Sequence, residues 1–219
     1  MKILDLEQGS EEWKFARLGL ASASRFKDIL SEPRSKADKE AGKLSDTACS
    51  YLCELAAEVL TGEQVELSGR ALEWGSDNEA EARELYDMNY ADVSEVGIIL
   101  DDSCKFGASP DGLVGNDGMI EIKCPYNSVN HIKTVVSGEM PKEHMAQVQG
   151  NLMINERQWC DFISFDPRIK GKGRFFVARI ERDDEYIAKL KEKTINFVNK
   201  LDRMLLENFG IDRNQKEDC

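Results

Sequence analysis

The sequence predicts an α/β or α+β layer architecture, with helices flanking one central mixed β-sheet. Three observations predict it. Helix-period apolar patterns fill the chain before Val93, and short strand-like apolar runs cluster between Val93 and Cys124. Two helical patterns, two strands and a long amphipathic helix then follow. The length, 219 residues, suits one domain with a sizeable core. That domain reads as a helical part, about 1–90, packed on a catalytic core, about 91–211, with a polar tail over 212–219.

Each element has a local reason. Ser10 is placed to cap a helix over Glu11–Leu18, which has acids in its first turn and Gly19 at its end. Ser22 is placed to cap a second helix running to Leu30, and the polar stretch from Glu32 to Lys43 reads as a loop. Ser45 opens a strong helix whose apolar face is Ala48, Leu52, Leu55, Ala56 and Val59, closed by Gly62. A fourth helix spans Gly69–Tyr90, with a bend expected near Gly75. Val93–Leu100, Lys105–Ser109, Leu113-Val114 and Met119–Cys124 read as strands. Asn127–Val136 and Pro141–Asn155 read as helices, the second with Pro141 in its first turn. Trp159–Phe165 and Arg174–Ile180 read as strands, and Asp183–Phe209 as a long helix with Ile187, Leu190, Phe197, Leu201 and Leu205 along one side.

Bulk composition narrows the classes. No apolar run is long enough to span a bilayer, and Met1–Asp5 lacks the charged-then-apolar layout of a signal peptide, so a cytoplasmic protein is expected. Six cysteines include no CxxC pair, and His131 and His144 are isolated, so the thiols read as reduced and mostly buried rather than zinc-bound. The net charge of −12 argues against a protein that coats duplex DNA. It leaves room for an enclosed nucleic-acid enzyme with a local basic path, for which Arg17, Arg25, Arg34, Lys36 and Arg70 are the candidates.

The chemistry concentrates in Ser109-Pro110-Asp111-Gly112 and Glu121-Ile122-Lys123. Side chains alternate along a strand, so Glu121 and Lys123 share one face while Ile120 and Ile122 share the other. Gly115-Asn116-Asp117-Gly118 supplies a turn between Asp111 and Glu121, and a hairpin would bring both carboxylates and the ammonium together. Two hard oxygen ligands suit Mg²⁺, and a neighbouring Lys suits activation of a water against a phosphodiester. This is the PD-(D/E)xK pattern of metal-dependent nucleases. Taken separately, Pro-Asp-Gly is also an ordinary turn and Glu-x-Lys an ordinary wet strand face.

With these residues in view, the chain closely resembles the phage lambda exonuclease family nearly end to end. The landmarks are Arg17-Leu18-Gly19, Ala23-Ser24, Pro33-Arg34-Ser35, Ala71-Leu72-Glu73-Trp74-Gly75, the two motifs above, Met145-Ala146-Gln147-Val148-Gln149, Asp166-Pro167-Arg168 and Ile180-Glu181-Arg182-Asp183. The resemblance implies a restriction-endonuclease-like core and a homotrimeric ring around DNA. It also implies Mg²⁺-dependent 5′→3′ degradation of one strand of a linear duplex, with two ions per site and Mn²⁺ as a substitute. The products are 5′-mononucleotides and a 3′ single-stranded tail for recombination, with a single-strand annealing protein as partner in the bacterial host.

By the same resemblance Asp111, Glu121 and the main-chain carbonyl of Ile122 are metal ligands, and Glu79 serves the second metal. Lys123 positions the attacking water, and Gln147, or its neighbour Gln149, lies near it. Arg17, Ser24 and Ser109 form the pocket for the terminal 5′-phosphate. Leu72 falls at an apolar wedge, a plain core residue being the alternative, and Arg34 falls on a loop that touches the duplex. Two other functions remain open to this sequence: a metal-dependent endonuclease on the same core, and a DNA-end-binding recombination protein without catalysis.

Overall fold

The computed structural model describes residues 1–65 and 69–213. Of the polar tail, residues 214–219 lie outside the described part. Nine strands and eight α-helices are formed among the described residues. The strands are β1 (Lys2–Leu4), β2 (Ala21–Ser22), β3 (Val93–Ser94), β4 (Ile98–Leu100), β5 (Phe106–Ala108), β6 (Gly112–Val114), β7 (Gly118–Lys123), β8 (Trp159–Phe165) and β9 (Phe175–Glu181). The helices are α1 (Glu11–Ala16), α2 (Phe26–Leu30), α3 (Lys36–Glu40), α4 (Asp46–Thr61), α5 (Arg70–Asn89), α6 (Ser128–Ser137), α7 (Met145–Asn155) and α8 (Asp184–Phe209).

The α/β layering is as the sequence predicts, but the strands divide into two mixed sheets rather than one. The larger has the order β3-β6-β7-β8-β9, and the smaller β1-β4-β5-β2. The run Val93–Leu100 is therefore not one strand: β3 pairs with β6 in one sheet and β4 with β1 and β5 in the other. Gly97 sits at the crossing, where an added Cβ would meet the backbone of Leu4 and Leu6 at 2.3–2.6 Å. The strand β1 is absent from the sequence reading, as is β2, because three and two residues carry too little periodicity to declare themselves.

Helix caps account for most boundaries. Ser10, Ser45 and Asp183 each accept a hydrogen bond from the backbone amide three residues on, and Gly62 and Gly210 end α4 and α8 with left-handed backbone. Ser22 does not cap in this way; a 3₁₀ turn over Ala23–Arg25 precedes α2, and the Ser22 hydroxyl meets Ser24 Oγ at 3.1 Å. A 3₁₀ turn, Lys142–His144, likewise stands before α7, where a helix from Pro141 was expected. Part of the expected loop is the short helix α3, capped by Ser35. Helix α5 continues through Gly75.

The β6–β7 hairpin is the frame of the site. It pairs Gly112 with Ile120 and Val114 with Gly118, and β7 runs parallel to β8 with Glu121 beside Phe162. Strand β7 is buried on both faces: Met119 packs into the core formed with α2, α4, α7 and α8, while Ile120 and Ile122 pack with Ala82 and Tyr86 of α5. Fully burying each such side chain contributes about 1.5–3 kcal/mol, so the strand is held firmly where its polar residues emerge. The cysteines depart from expectation. Cys124 and Cys160 are buried free thiols, but Cys49 and Cys53 are exposed and Cys104 is disulfide-bonded.

Candidate active site

Asp111 enters the site from the residue before β6, and Glu121 and Lys123 from the end of β7. The Ile122 amide donates to Asp111 Oδ2 at 2.5 Å, which ties the two strands together at the acids. Lys123 Nζ donates to Glu121 Oε1 at 2.5 Å. The hairpin thus brings two carboxylates and one ammonium together, as the sequence spacing predicts. Glu79, on α5, lies within electrostatic reach of Asp111 and Lys123. One turn later on the same helix, Arg83 Nε donates to the Asp111 carbonyl at 2.9 Å and so anchors α5 to the hairpin.

The opposite wall is α7. Gln147 Nε2 donates to Glu121 Oε1 at 2.5 Å, and Asn151 Nδ2 donates to Glu121 Oε2 at 2.9 Å. These residues are four apart and therefore share a helix face. Gln149 is excluded from the site: it is buried, but its amide bonds the Glu181 carbonyl and the Asp183 amide. Gly150 lets α7 lie close against α2, since a Cβ there would meet Phe26 at 2.5 Å. Asn151 is absent from the sequence reading. The only trace of it was the Gln-x-x-x-Asn spacing, which says nothing of Glu121 thirty residues away.

Burial governs the electrostatics. Desolvation, and then the repulsion of Asp111, pushes the Glu79 carboxyl up to about 7. Desolvation also raises Glu121 to about 7, against the pull of Lys123, and it raises Asp111. Lys123 loses hydration too, but the facing acids outweigh that loss and hold its ammonium more firmly protonated than usual. His144 stacks on Phe162 at 5.3 Å, and burial followed by the Lys123 charge lowers it to about 4.

Three acids thus face the Lys123 ammonium and, more weakly, the Arg83 guanidinium, and their raised pKa values mark incomplete neutralisation, which a divalent cation would relieve. Among the described residues no three His, Cys, Asp or Glu side chains converge as a finished cage. The donor chemistry nevertheless fits a hard cation: carboxylate oxygens from Asp111 and Glu121 and a third acid nearby, the set with which Mg²⁺ binds while keeping several waters.

A cavity of about 40 Å³ adjoins the acids, room for a few waters. Arg17, Ser24, Ser109 and Gln147 all line it, so the residues expected to receive a phosphate come together there, with Ser22 and Asn151 added. The Arg17 guanidinium lies over the Trp13 ring at 4.1 Å, and desolvation lowers its pKa. It is the cationic residue among those lining the cavity. Leu72 is 56% exposed on α5, which removes the plain-core alternative. Arg34 is exposed on the loop before α3. Arg25 does not serve an open basic path, because Asp28 and Glu54 hold it at 2.5 and 2.9 Å.

A family model described as the YqaJ-like viral recombinase domain matches residues 12–158, a span that includes every site residue named above. Among solved structures, an alkaline exonuclease (LHK-Exo) from Laribacter hongkongensis superposes with a TM-score of 0.81 at 37% identity, covering 90% of this chain and 95% of that one. The same protein in complex with dAMP also has a TM-score of 0.81, at 38% identity. A phage related exonuclease from Haemophilus somnus 129PT shares the fold, with a TM-score of 0.68 at 24% identity over 86% of this chain and 96% of that one. The protein ExoD of Escherichia coli (strain K12) is 36% identical over 64 residues, 29% of this chain and 72% of ExoD.

Proposed function

The chain belongs to the YqaJ-like viral recombinase domain family, that of the lambda-type phage exonucleases, and from that membership we propose that it is a Mg²⁺-dependent 5′→3′ exonuclease. It degrades one strand of a linear DNA duplex to 5′-mononucleotides and leaves a 3′ single-stranded tail. The observation that carries this reading is the junction of two compartments. Gln147 lines the cavity that Arg17 enters and also hydrogen-bonds Glu121. A terminal phosphate seated there would lie a fixed distance from the carboxylates.

Each residue has a physical task on this reading. Asp111, Glu121 and the Ile122 carbonyl would hold one Mg²⁺ and Glu79 would serve a second, with Mn²⁺ as a substitute. Bound there, such ions would supply positive charge against the charge that develops on the phosphodiester. Lys123, held protonated, orients the attacking water and adds to that stabilisation. Arg17 with the hydroxyls of Ser24 and Ser109 binds the terminal phosphate, which carries more charge than an internal one, and so selects the end over the interior. Leu72, exposed and apolar, parts the strands, and Arg34 touches the duplex. A deoxynucleoside monophosphate, the class of molecule bound to LHK-Exo, is the product expected.

The acidic net charge fits an enzyme that stays on its track by enclosure rather than by surface attraction. A homotrimeric ring formed by a closing head-to-tail interface would provide that. The single-strand annealing protein that takes up the 3′ tail is the expected partner, in the cytoplasm of the bacterial host; among the described residues no helix is long and apolar enough to cross a membrane. The test is digestion of linear duplex with and without a 5′-phosphate, in Mg²⁺ and in EDTA. Cleavage confined to Mg²⁺ and to linear ends, faster with the phosphate, is expected. Nicking of closed circles would instead indicate an endonuclease, and DNA-end binding without cleavage a scaffold.

A further inference from the structure

Asn151 is 1% exposed, yet it neither caps a helix nor joins a strand. Its amide spans the wall between the end cavity and the acids: the side chain lines the cavity with Arg17 and Ser109, and Nδ2 donates to Glu121 Oε2 at 2.9 Å. Burying such an amide is costly unless it is hydrogen-bonded, and the Glu121 contact supplies that bond.

The donors around Glu121 show what that bond does. A carboxylate has about four lone-pair sites. Lys123 and Gln147 both donate to Oε1, while Asn151 donates to Oε2. Oε1 is crowded, and Oε2 keeps one free lone pair whose direction is set by the Asn151 bond. With Oε1 still held by Lys123 and Gln147, loss of Asn151 would leave Oε2 without a protein donor and able to shift within the broad well of the terminal torsion. Its free lone pair would then no longer be aimed.

We propose that Asn151 is a positioning residue that fixes the Glu121 carboxylate so that one Oε2 lone pair points at a divalent cation. The inference rests on the cation-dependent reading of the site. Gln149 is the internal control. It is on the same helix and equally buried, at 1% exposure, but its amide is spent on Glu181 and Asp183, away from the acids.

The test is titration of the DNA-free protein with Mg²⁺, followed by calorimetry and by thermal melting, for the wild-type chain and for Asn151→Leu, Asn151→Ser and Gln149→Leu. Partners that orient a metal-ligating group are worth about 10- to 100-fold in affinity. Asn151→Leu should weaken Mg²⁺ binding by about that factor. Asn151→Ser, which keeps a donor on a shorter arm, should fall between it and wild type and remains informative if the leucine variant does not fold. Gln149→Leu should lower the melting temperature in EDTA without moving Mg²⁺ affinity. In turnover, Asn151→Leu should lower kcat at limiting Mg²⁺ and regain part of it at saturating Mg²⁺. Mg²⁺ binding by both Asn151 variants as tight as wild type would overturn the inference while leaving the cation site intact. Failure of the wild-type chain to bind Mg²⁺ would overturn the cation-dependent reading itself, and this inference with it.

Discussion

Gln147 and Glu121 stand 2.5 Å apart, amide nitrogen to carboxylate oxygen, and this contact joins the cavity to the acids. The two residues are twenty-six positions apart in sequence. The seating of α7 depends on Gly150, whose missing side chain lets the helix lie against Phe26 and Ala23.

That dependence is testable. Gly150→Leu forces bulk into a space where the first added carbon already sits 2.5 Å from Phe26. It should cost about 1–3 kcal/mol or more in denaturant unfolding. By pushing α7 away it should also reduce the preference for phosphorylated ends. Unchanged stability and end preference would show that α7 is not held by this contact.

Asp111→Ala and Lys123→Ala remove a carboxylate and the ammonium from the same cluster. Losing one preorganised electrostatic group of this kind lowers kcat by about 10²–10³-fold. DNA association, measured by gel shift with EDTA present, should persist in both variants. Normal digestion by both would refute the assignment of this cluster to catalysis.

Arg17 enters the cavity as its cationic residue, stacked on Trp13. A hydrogen bond to a charged group contributes about 1.5–3 kcal/mol, so Arg17→Ala should cut kcat/KM on 5′-phosphorylated ends by roughly 10- to 150-fold. Ends carrying a 5′-hydroxyl should be affected far less. Equal losses on both substrates would argue against a phosphate role.

The carboxyls of Glu79 and Glu121 are raised to about 7, above the ordinary value of 4.5. A raised acid favours the fold at low pH, where it is neutral in both states, and that stability is lost as pH climbs from the unfolded value through the folded one. The cation-free protein should therefore lose melting temperature between about pH 4.5 and 7 from these groups. Mg²⁺ should restore it, with a thermal shift near zero at pH 5 and largest at pH 8. Glu79→Gln should raise the melting temperature in EDTA at pH 8 but not at pH 5. A Mg²⁺ shift independent of pH would contradict this account.

His144 shifts the other way, down to about 4. A depressed histidine supports the fold above its unfolded value near 6.5 and withdraws that support as pH falls toward 4. Replacing it with Asn should flatten the loss of stability over that window in urea melts; an unaltered slope would place the acid sensitivity elsewhere.

The parts of this molecule that were legible in its sequence are those whose cause is local. The β6–β7 hairpin announces itself through its turn residues and the alternation around Glu121, and α4 and α8 through their caps and apolar stripes. The division of Val93–Leu100 between two sheets was not legible, because it is decided by pairing with β1 and β6, distant from one another in the chain. The PD-(D/E)xK acids were legible as a motif, and the grouping of Arg17, Ser24 and Ser109 around one cavity only through family resemblance. Asn151 was legible in neither way, since its significance exists only once α7 lies across β7.

Gln147 and Asn151 are separated by just over one helical turn, about 6 Å of rise. Both border the cavity and both grip Glu121, so the cavity and the acids are carried together by one stretch of α7. On the exonuclease reading, a seat and a cutting centre held at one spacing would make fragment length a property of the scaffold and not of the sequence being consumed.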